Sequence, residues 1–268
     1  MPLDAETTTH VAERVRELAA SYEPPAFAHV PDRDSALFLC AVDHRTGYRG
    51  RYLVGGRGPF EGSALLWAVG LRSAERRPEL LTAASLRAVD GGGVAEAFRI
   101  GGETVADPER RAALWQDLAT GLERDHGGET EELLAAADGC LGGSGGLLAL
   151  LSGYAAFSDP LRKKAFLFAK IAERRGWLRV ADPETWEVSA DNVLMRLALR
   201  SGLVEPGGRE EVRAATRAAF KSVAEEAGMS PVVLDDLLWE LGREDADLLG
   251  TEGGDVREPE RDPESAWY

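Results

Sequence analysis

Prolines that follow an aspartate or a serine mark several segment starts along this chain. Asp107-Pro108, Asp159-Pro160 and Ser230-Pro231 each stand before a run with helical periodicity, and Asp182-Pro183 stands before a short turn. A capping side chain followed by proline is typical of the first turn of a helix, because proline lacks an N–H that this turn leaves unused. The apolar residues between these starts recur at helical spacing, and strands do not alternate with helices. The sequence therefore predicts a mainly α fold.

The predicted elements are helices with one small β element. Ser35–Val42 is an apolar run that fits either a helix or a strand, Tyr48–Val54 fits a strand, and Gly55–Pro59 fits a loop. Gly91-Gly92-Gly93 is expected to interrupt a shorter pair of helices. Residues 1–242 are predicted to form one helical domain, either undivided or made of two lobes that flank a cleft. The other helices are expected at about residues 5–21, 61–76, 107–126, 129–137, 158–175, 192–201, 210–227 and 230–241.

Charge is distributed unevenly in this chain, whose formal net charge is −15. From Glu240 to Tyr268 there are ten acidic residues and three arginines, so we expect an acidic, disordered tail over residues 243–268. From Pro160 to Arg200 there are nine basic residues and five acidic ones, which makes one basic island. Nonspecific nucleic-acid binding needs clustered basic residues, and an acidic chain disfavours it. A small anionic ligand is therefore the expected partner.

Membrane, metal and cofactor signals are absent from the sequence. No run approaches the ~18 apolar residues of a membrane helix, and the N-terminus lacks signal-peptide character, so we expect a cytoplasmic protein without membrane contact. Cys40, Cys140 and four scattered histidines do not have the spacing of a metal site. The glycine clusters do not match a phosphate-binding loop and fit plain turns. We expect neither a metal nor a cofactor, and the oligomeric state is left open.

Lys164 is the first candidate for chemistry. On a wheel of the helix that begins near Asp159, Lys164 falls within the arc of apolar side chains. Lys163 and Lys170 fall on the opposite side, where solvated lysines are expected. Burial favours the neutral amine, which can act as a nucleophile or a proton carrier. The alternative is a lysine at the edge of the apolar stripe whose ammonium reaches water.

Asp191 is the second candidate. It stands before the helix predicted from Asn192 to Ser201, on the side of that helix that carries Leu194 and Met195. Aspartate is a favoured N-cap residue, because its carboxylate accepts a backbone N–H of the first turn. A carboxylate held ionised at a helix start can also stabilise a positive charge that develops nearby.

The sequence around these two residues resembles a known superfamily. Val188–Val204 resembles the V-D-T-H-V-x-R-V-x-x-R-L-G-L-V stretch of helix-hairpin-helix DNA glycosylases, in which the aspartate supports cleavage of the N-glycosidic bond. Leu161–Ala165 resembles the segment that carries the catalytic lysine of the members with lyase activity. The hairpin glycines G-V-G, whose amides grip DNA phosphate in that superfamily, are missing, and Ser158–Leu161 stands in their place.

A second family is similar over more of the chain. The queuosine salvage glycosidases, which release queuine from its nucleotide or nucleoside, share five short segments with this chain in the same order. The resemblance implies a helical, DNA-glycosylase-like architecture and N-glycosidase activity. The segments are Phe38–Thr46 against F-V-A-D-T-L-N with Asp43 at the aspartate, Gly58–Ala68 against Y-x-G-Y-W-S-L-x-A-A, Lys163–Ala165 against Y-K-R-A-Q, Ala190–Asn192 against A-D-Y-R-L-P-Q, and Val233–Trp239 against L-L-D-Y-Y-L-W.

Both resemblances imply cleavage of the bond between a base and a sugar, with Asp191 and Lys164 as catalytic residues. Departure of the base leaves positive charge on the sugar, which an ionised carboxylate can stabilise. Either an activated water or the lysine amine then attacks the anomeric carbon. An aromatic side chain such as Phe60 or Trp67 can stack on the base, and His44 has either a pocket position or the role of a loop cap. The expected substrate-binding residues are Asp43, His44, Phe60, Trp67, Lys163, Asn192, Arg196 and Asp235.

Three functions stay open at this point. The first is an N-glycosidase that releases a 7-deazaguanine base from a queuosine-type nucleoside or nucleotide, which the acidity and the missing hairpin glycines favour. The second is a DNA glycosylase, with or without lyase activity, that acts on a damaged base. The third is a non-catalytic helical binding protein that shares the fold.

Overall fold

The computed structural model describes residues 5–260 and 265–267 of the 268-residue chain. The predicted fold class is confirmed, because the chain is mainly helical with one small antiparallel sheet. None of the helices in this described part has the length and apolar character needed to cross a membrane. In chain order the elements are α1 (Ala5–Ala19), α2 (Arg33–Val42), β1 (Tyr52–Val54), β2 (Arg57–Phe60), α3 (Gly62–Arg76), α4 (Ala83–Leu86), α5 (Gly91–Ala97), α6 (Pro108–His126), α7 (Thr130–Ala136), α8 (Leu147–Ser152), α9 (Lys163–Arg174), α10 (Asn192–Arg200), α11 (Arg209–Ala227) and α12 (Pro231–Glu244), with 3₁₀ turns at Ala155–Phe157 and Pro183–Thr185.

The described residues divide into two compact units. The central unit comprises Phe27–Pro183 with residues 266–267, and it contains α2 to α9 and the β-hairpin. The terminal unit comprises residues 5–26, 184–260 and 265, and it contains α1, α10, α11 and α12. Lys164 therefore belongs to the central unit, and Asp191 belongs to the terminal unit.

The terminal unit is a cluster of four helices around one apolar core. Helix α1 packs against α11, and α10, α11 and α12 pack against one another. Leu194 of α10, Phe220 of α11 and Leu238 of α12 are fully buried in this core. Within each of these helices the apolar residues recur at helical spacing, which produces the apolar face that the sequence predicts.

The segment after α12 differs from the disordered tail predicted from residue 243. Leu248 and Leu249 are buried in the core of the terminal unit, and burial of a leucine contributes about 2 kcal/mol. Arg200 Nε lies 2.5 Å from Asp247, and Arg200 also pairs with Asp255. Apolar burial and ion pairing thus attach this acidic segment to the unit. Residues 261–264 and 268 of the predicted tail lie outside the described residues.

Helix α2 lies in the middle of the central unit. It packs against α3, α6, α7 and α9, and every residue from Ser35 to Val42 is buried. Asp32 starts it as an N-cap whose carboxylate accepts the Ser35 N–H at 2.7 Å. The sequence left this segment open between helix and strand, because a helix covered on all sides has no amphipathic period. The cap at Asp32 is the local signal for the helix.

The β element is a tight hairpin. Strands β1 and β2 are antiparallel, with Tyr52 opposite Phe60 and Val54 opposite Arg57. The two residues between them, Gly55 and Gly56, both have positive φ, as a two-residue hairpin turn requires. The predicted strand is therefore shorter than Tyr48–Val54, and most of the predicted loop forms its partner strand.

Two predicted segment starts are shifted for local reasons. Gly91 opens α5 rather than interrupting a helix pair, because the Asp90 carboxylate accepts the Gly93 N–H at 2.8 Å. Helix α9 begins at Lys163, three residues after Pro160. The Asp159 carboxylate accepts the N–H groups of Leu161 and Lys163, so this turn precedes the helix. By contrast, the predicted helix from Asp107-Pro108 to His126 is confirmed.

Candidate functional site

Lys164 is one of the largest fully buried side chains of the central unit. Only 1% of it is exposed, and its Nζ donates a hydrogen bond to the Ala41 carbonyl oxygen at 2.6 Å. The helical wheel placed Lys164 on the apolar face, and its burial agrees with that interpretation rather than with a lysine that reaches water. The wheel also placed Lys170 among solvated residues, which is wrong, because Lys170 is buried as well.

Burial changes the proton affinity of the Lys164 amine. Its pKa lies well below the usual value, first because burial removes water from the ammonium and then because Lys163 is a nearby positive charge. The carboxylate of Asp43 acts in the opposite direction. The amine is therefore far closer to neutrality near physiological pH than a surface lysine is.

His44 lies next to this amine. Its Nδ1 atom is 3.2 Å from Lys164 Nζ and 3.2 Å from Arg111 Nη1. A guanidinium can only donate, so Nδ1 accepts and the ring proton is assigned to Nε2. Burial and the neighbouring positive charges lower the pKa of His44, which favours the neutral imidazole. Among the described residues Nε2 has no hydrogen-bond partner, although His44 is only 4% exposed.

Arg111 holds the chain around His44 in place. It is fully buried, and its guanidinium donates to the carbonyl oxygens of Val42, His44, Arg45 and Ala106. Burial lowers the pKa of Arg111 to about 10, so it stays charged at neutral pH. Together with Lys164, it satisfies carbonyl groups that the end of α2 leaves without helical partners.

Arg111 is not among the residues predicted from the sequence, although its position on α6 carries a signal. Arg111, Trp115, Leu118 and Leu122 follow one another at helical spacing on α6, and all four are buried. The wheel that singled out Lys164 on α9 therefore also singles out this arginine on the apolar face of α6.

Asp43 follows α2 directly and is held by two side chains of α3. Ser63 Oγ lies 2.8 Å from both carboxylate oxygens and donates to them, and the Trp67 indole N–H donates at 3.1 Å. Ser63 and Trp67 stand four residues apart, so they face the same side of α3. Asp43 is only 6% exposed. The sequence predicted Asp43 and Trp67 as site residues but gave Trp67 a stacking role, and it did not single out Ser63.

Phe60 and Lys163, the other predicted residues of the central unit, are less buried than Asp43, His44 and Lys164. Phe60 is half-buried at the end of β2, where it pairs with Tyr52. Lys163 is half-buried in the first turn of α9, next to Lys164. The central unit thus brings together Asp43, His44, Trp67 and Lys164, and the charge of Lys163 helps to lower the pKa of Lys164. We call Asp43, His44, Ser63, Trp67, Arg111 and Lys164 the polar cluster.

Two predicted residues of the terminal unit, Asp191 and Asp235, bind backbone N–H groups at or just before the start of α10. Asp191 is its N-cap, with Oδ1 accepting the N–H groups of Val193 at 2.9 Å and Leu194 at 3.0 Å. The Asp235 carboxylate accepts the Ser189 N–H at 2.7 Å, so α12 fixes the backbone just before this cap. Asp191 is half-buried, whereas Asp235 is buried.

Asn192 and Arg196 connect α10 to its neighbours. The Asn192 side-chain oxygen lies 3.3 Å from Arg209 Nη1 of α11. Arg196 Nη2 donates to the Gly242 carbonyl oxygen in α12 at 3.1 Å. Both contacts orient α10 and therefore Asp191. The participation of Asp191 and Lys164 in one reaction stays a prediction.

Comparisons with known proteins add no assignment to this geometry. No protein-family model matches the sequence, and no curated protein matches it with significance. Within the described residues, no group of three or more histidine, cysteine, aspartate and glutamate side chains could hold a metal ion. The function therefore has to be argued from the residues themselves.

Proposed function

We propose that this protein is an N-glycosidase that hydrolyses the base–sugar bond of a queuosine-type nucleoside or nucleotide and releases the 7-deazaguanine base. The proposal assigns Asp43, His44 and Lys164 of the polar cluster to this reaction, and Asp191 keeps the charge-stabilising role that the two resemblances imply. It rests on the two sequence resemblances and on the geometry of the polar cluster.

The observation that carries the proposal is the fixed, buried carboxylate of Asp43. A carboxylate offers about four lone-pair positions to donors. Ser63 and Trp67 occupy part of that capacity and set the orientation of the group. The remaining capacity suits the hydroxyl groups of a ribose, which are hydrogen-bond donors. Burial strengthens such bonds, because water competes less for the carboxylate.

Asp191 has the properties that the charge-stabilising role needs. Cleavage of an N-glycosidic bond develops positive charge on the sugar as the base departs with the bonding electrons. A carboxylate stabilises that charge best when its orientation is fixed before the reaction. The two backbone N–H groups that bind Oδ1 supply this fixed orientation.

The contacts of Lys164 support attack by water rather than by the amine. The amine is almost fully buried and is bonded to the Ala41 carbonyl oxygen, so it would have to leave this contact to reach an anomeric carbon. In its present position it orients His44 through Nδ1. We therefore assign Lys164 a positioning role. Water attack gives a free sugar and a free base without a covalent intermediate.

The test is the release of free base from defined substrates. Purified protein is incubated with queuosine 5′-monophosphate, queuosine and guanosine 5′-monophosphate, and the free bases are measured by mass spectrometry. We expect queuine from at least one of the first two substrates and no guanine from the third. Absence of free queuine from both, with enzyme in excess over substrate, would contradict the proposal.

A DNA glycosylase with lyase activity is the second candidate, because the lowered pKa of Lys164 favours an amine that can attack carbon. In that attack Nζ bonds to the anomeric carbon and the base departs with the bonding electrons. The bond from this carbon to the ring oxygen then breaks, the oxygen takes up a proton and the nitrogen loses its protons, which gives an imine that borohydride reduces to a stable adduct. Trapping on a duplex with a damaged base, lost in Lys164→Ala and kept in Lys170→Ala, would favour this candidate. Failure of both assays would favour the non-catalytic binding protein.

A further inference from the structure

A second group of charged and aromatic side chains lies in the central unit, away from the polar cluster. The guanidinium carbons of Arg33 and Arg175 lie 5.8 and 5.2 Å from the ring centroid of Trp177. Arg175 stands eleven residues after Lys164, at the end of α9. About 16 Å of helix axis therefore separates it from Lys164, so the two groups of side chains are distinct.

The positive charge of Arg175 is poorly balanced, whereas Arg33 lies near the carboxyl groups of Asp34 and Glu131. Within the described residues, Arg175 has no ion pair and no side-chain hydrogen bond, and Arg33 has one longer contact of 3.6 Å to Glu131. The Nε atoms of both arginines are buried without a hydrogen-bond partner in that part of the chain. Attraction to the indole ring holds each guanidinium. Both guanidiniums therefore lie near the same indole ring, and an anion that approaches this ring is attracted by each of them.

Neighbouring residues extend the positive potential. The pKa of His29 is lowered, first by burial and then by the charges of Arg57 and Arg175. A positive potential therefore reaches the imidazole from two separate arginines. Such a region is unusual in a chain with a net charge of −15, because the protein as a whole repels anions.

We propose that Arg33, Arg175 and Trp177 form a binding site for the phosphate group of a nucleotide. A guanidinium donates paired N–H groups to two phosphate oxygens, and contact of both guanidiniums with one ring limits their motion before binding. The indole supplies an apolar surface beside the phosphate. Binding here requires no group of the polar cluster, so the site is independent of base release.

The test measures binding by calorimetry at low ionic strength, without any activity readout. The probes are guanosine 5′-monophosphate, guanosine, inorganic phosphate and a single-stranded DNA oligonucleotide. The variant is Arg175→Gln, and the matched control is Arg179→Gln, which removes the charge of an exposed arginine in the same segment. We expect the nucleotide to bind, guanosine to bind at least tenfold more weakly, and Arg175→Gln to weaken nucleotide binding about tenfold, while Arg179→Gln changes it less than twofold.

Each other outcome has a defined meaning. Inorganic phosphate that binds as tightly as the nucleotide, with the same loss in Arg175→Gln, supports the phosphate site and identifies free phosphate as a sufficient ligand. Equal binding of guanosine and its monophosphate, or equal loss in both variants, overturns the proposal. Oligonucleotide binding more than tenfold tighter than nucleotide binding, lost in Arg175→Gln, would replace it with a nucleic-acid site. Arg175-dependent nucleotide binding without any base release would keep this site and reject only the proposed glycosidase.

Discussion

The two units use their buried polar side chains for different purposes. In the polar cluster of the central unit, Lys164 and Arg111 bind carbonyl oxygens at the end of α2, and both touch the same nitrogen of His44. In the terminal unit, Asp191 and Asp235 bind backbone N–H groups at the start of α10. Basic side chains therefore bind the end of α2, and carboxylates bind the backbone at the start of α10.

The two arrangements differ in how far each can be predicted from the sequence. Both arrangements follow the polarity of the helix, whose end is electronegative and whose start is electropositive. Asp191 stands next to the helix that it caps, whereas Asp235, Lys164 and Arg111 come from segments far away in the sequence. Lys164 lies 123 positions from the carbonyl group that it binds, and the contact between Asp191 and Leu194 spans three positions. Local rules therefore describe the cap at Asp191 better than the contacts of Lys164 or Asp235.

Of the substitutions considered, Arg111→Met should lower the stability of the protein most. Arg111→Met leaves the carbonyl groups of Val42, His44, Arg45 and Ala106 without their buried donor, so we expect the free energy of unfolding to fall by about 3 kcal/mol or more. The matched control is Arg110→Met, which changes the exposed neighbour on α6. Urea unfolding of both variants measures the difference. Equal stability of the two variants would show that Arg111 does not hold this region.

Lys164 should make the free energy of unfolding depend on pH. Because the folded-state pKa lies below 10.5, the unfolded chain binds one more proton between the folded pKa and that value. Stability should therefore rise with pH in this window, by about 1.4 kcal/mol per pH unit from this group. Lys164→Met should remove that slope, and Lys163→Met should keep most of it. Unfolding at a series of pH values tests this, and an unchanged slope in Lys164→Met would contradict a neutral buried amine.

Substitutions of Asp191 in the terminal unit should change the free energy of unfolding least. Asparagine caps helices about as well as aspartate, whereas alanine does not, so Asp191→Ala should cost about 1 kcal/mol and Asp191→Asn only a few tenths. Thermal or urea unfolding distinguishes the two variants. A large loss in Asp191→Asn would mean that the charge of Asp191, and not its cap, supports the fold.

The fold class and several helix starts could be predicted from local sequence patterns. Contacts between segments that are far apart in the chain could not. The start of α6 at Pro108 and the cap at Asp191 follow from local rules, but the Asp107 carboxylate pairs with Arg45 and does not cap the helix as expected. The bond between Ser63 and Asp43 joins two elements whose packing no local pattern specifies. The burial of Leu248 and Leu249 was hidden by the acidic residues around them, because composition alone suggested disorder.

The proposed base release depends on the carboxylate of Asp43, and the two resemblances imply a separate requirement for the carboxylate of Asp191. The direct measurement is the rate of queuine release from queuosine 5′-monophosphate by Asp43→Asn, Asp191→Asn and Asp90→Asn, compared with the unchanged protein. Asp90 caps α5 in the way that Asp191 caps α10, so it controls for the loss of a capping charge. We predict a loss of at least about 100-fold for the first two variants and less than twofold for the third. Full activity in either Asp43→Asn or Asp191→Asn would contradict the account.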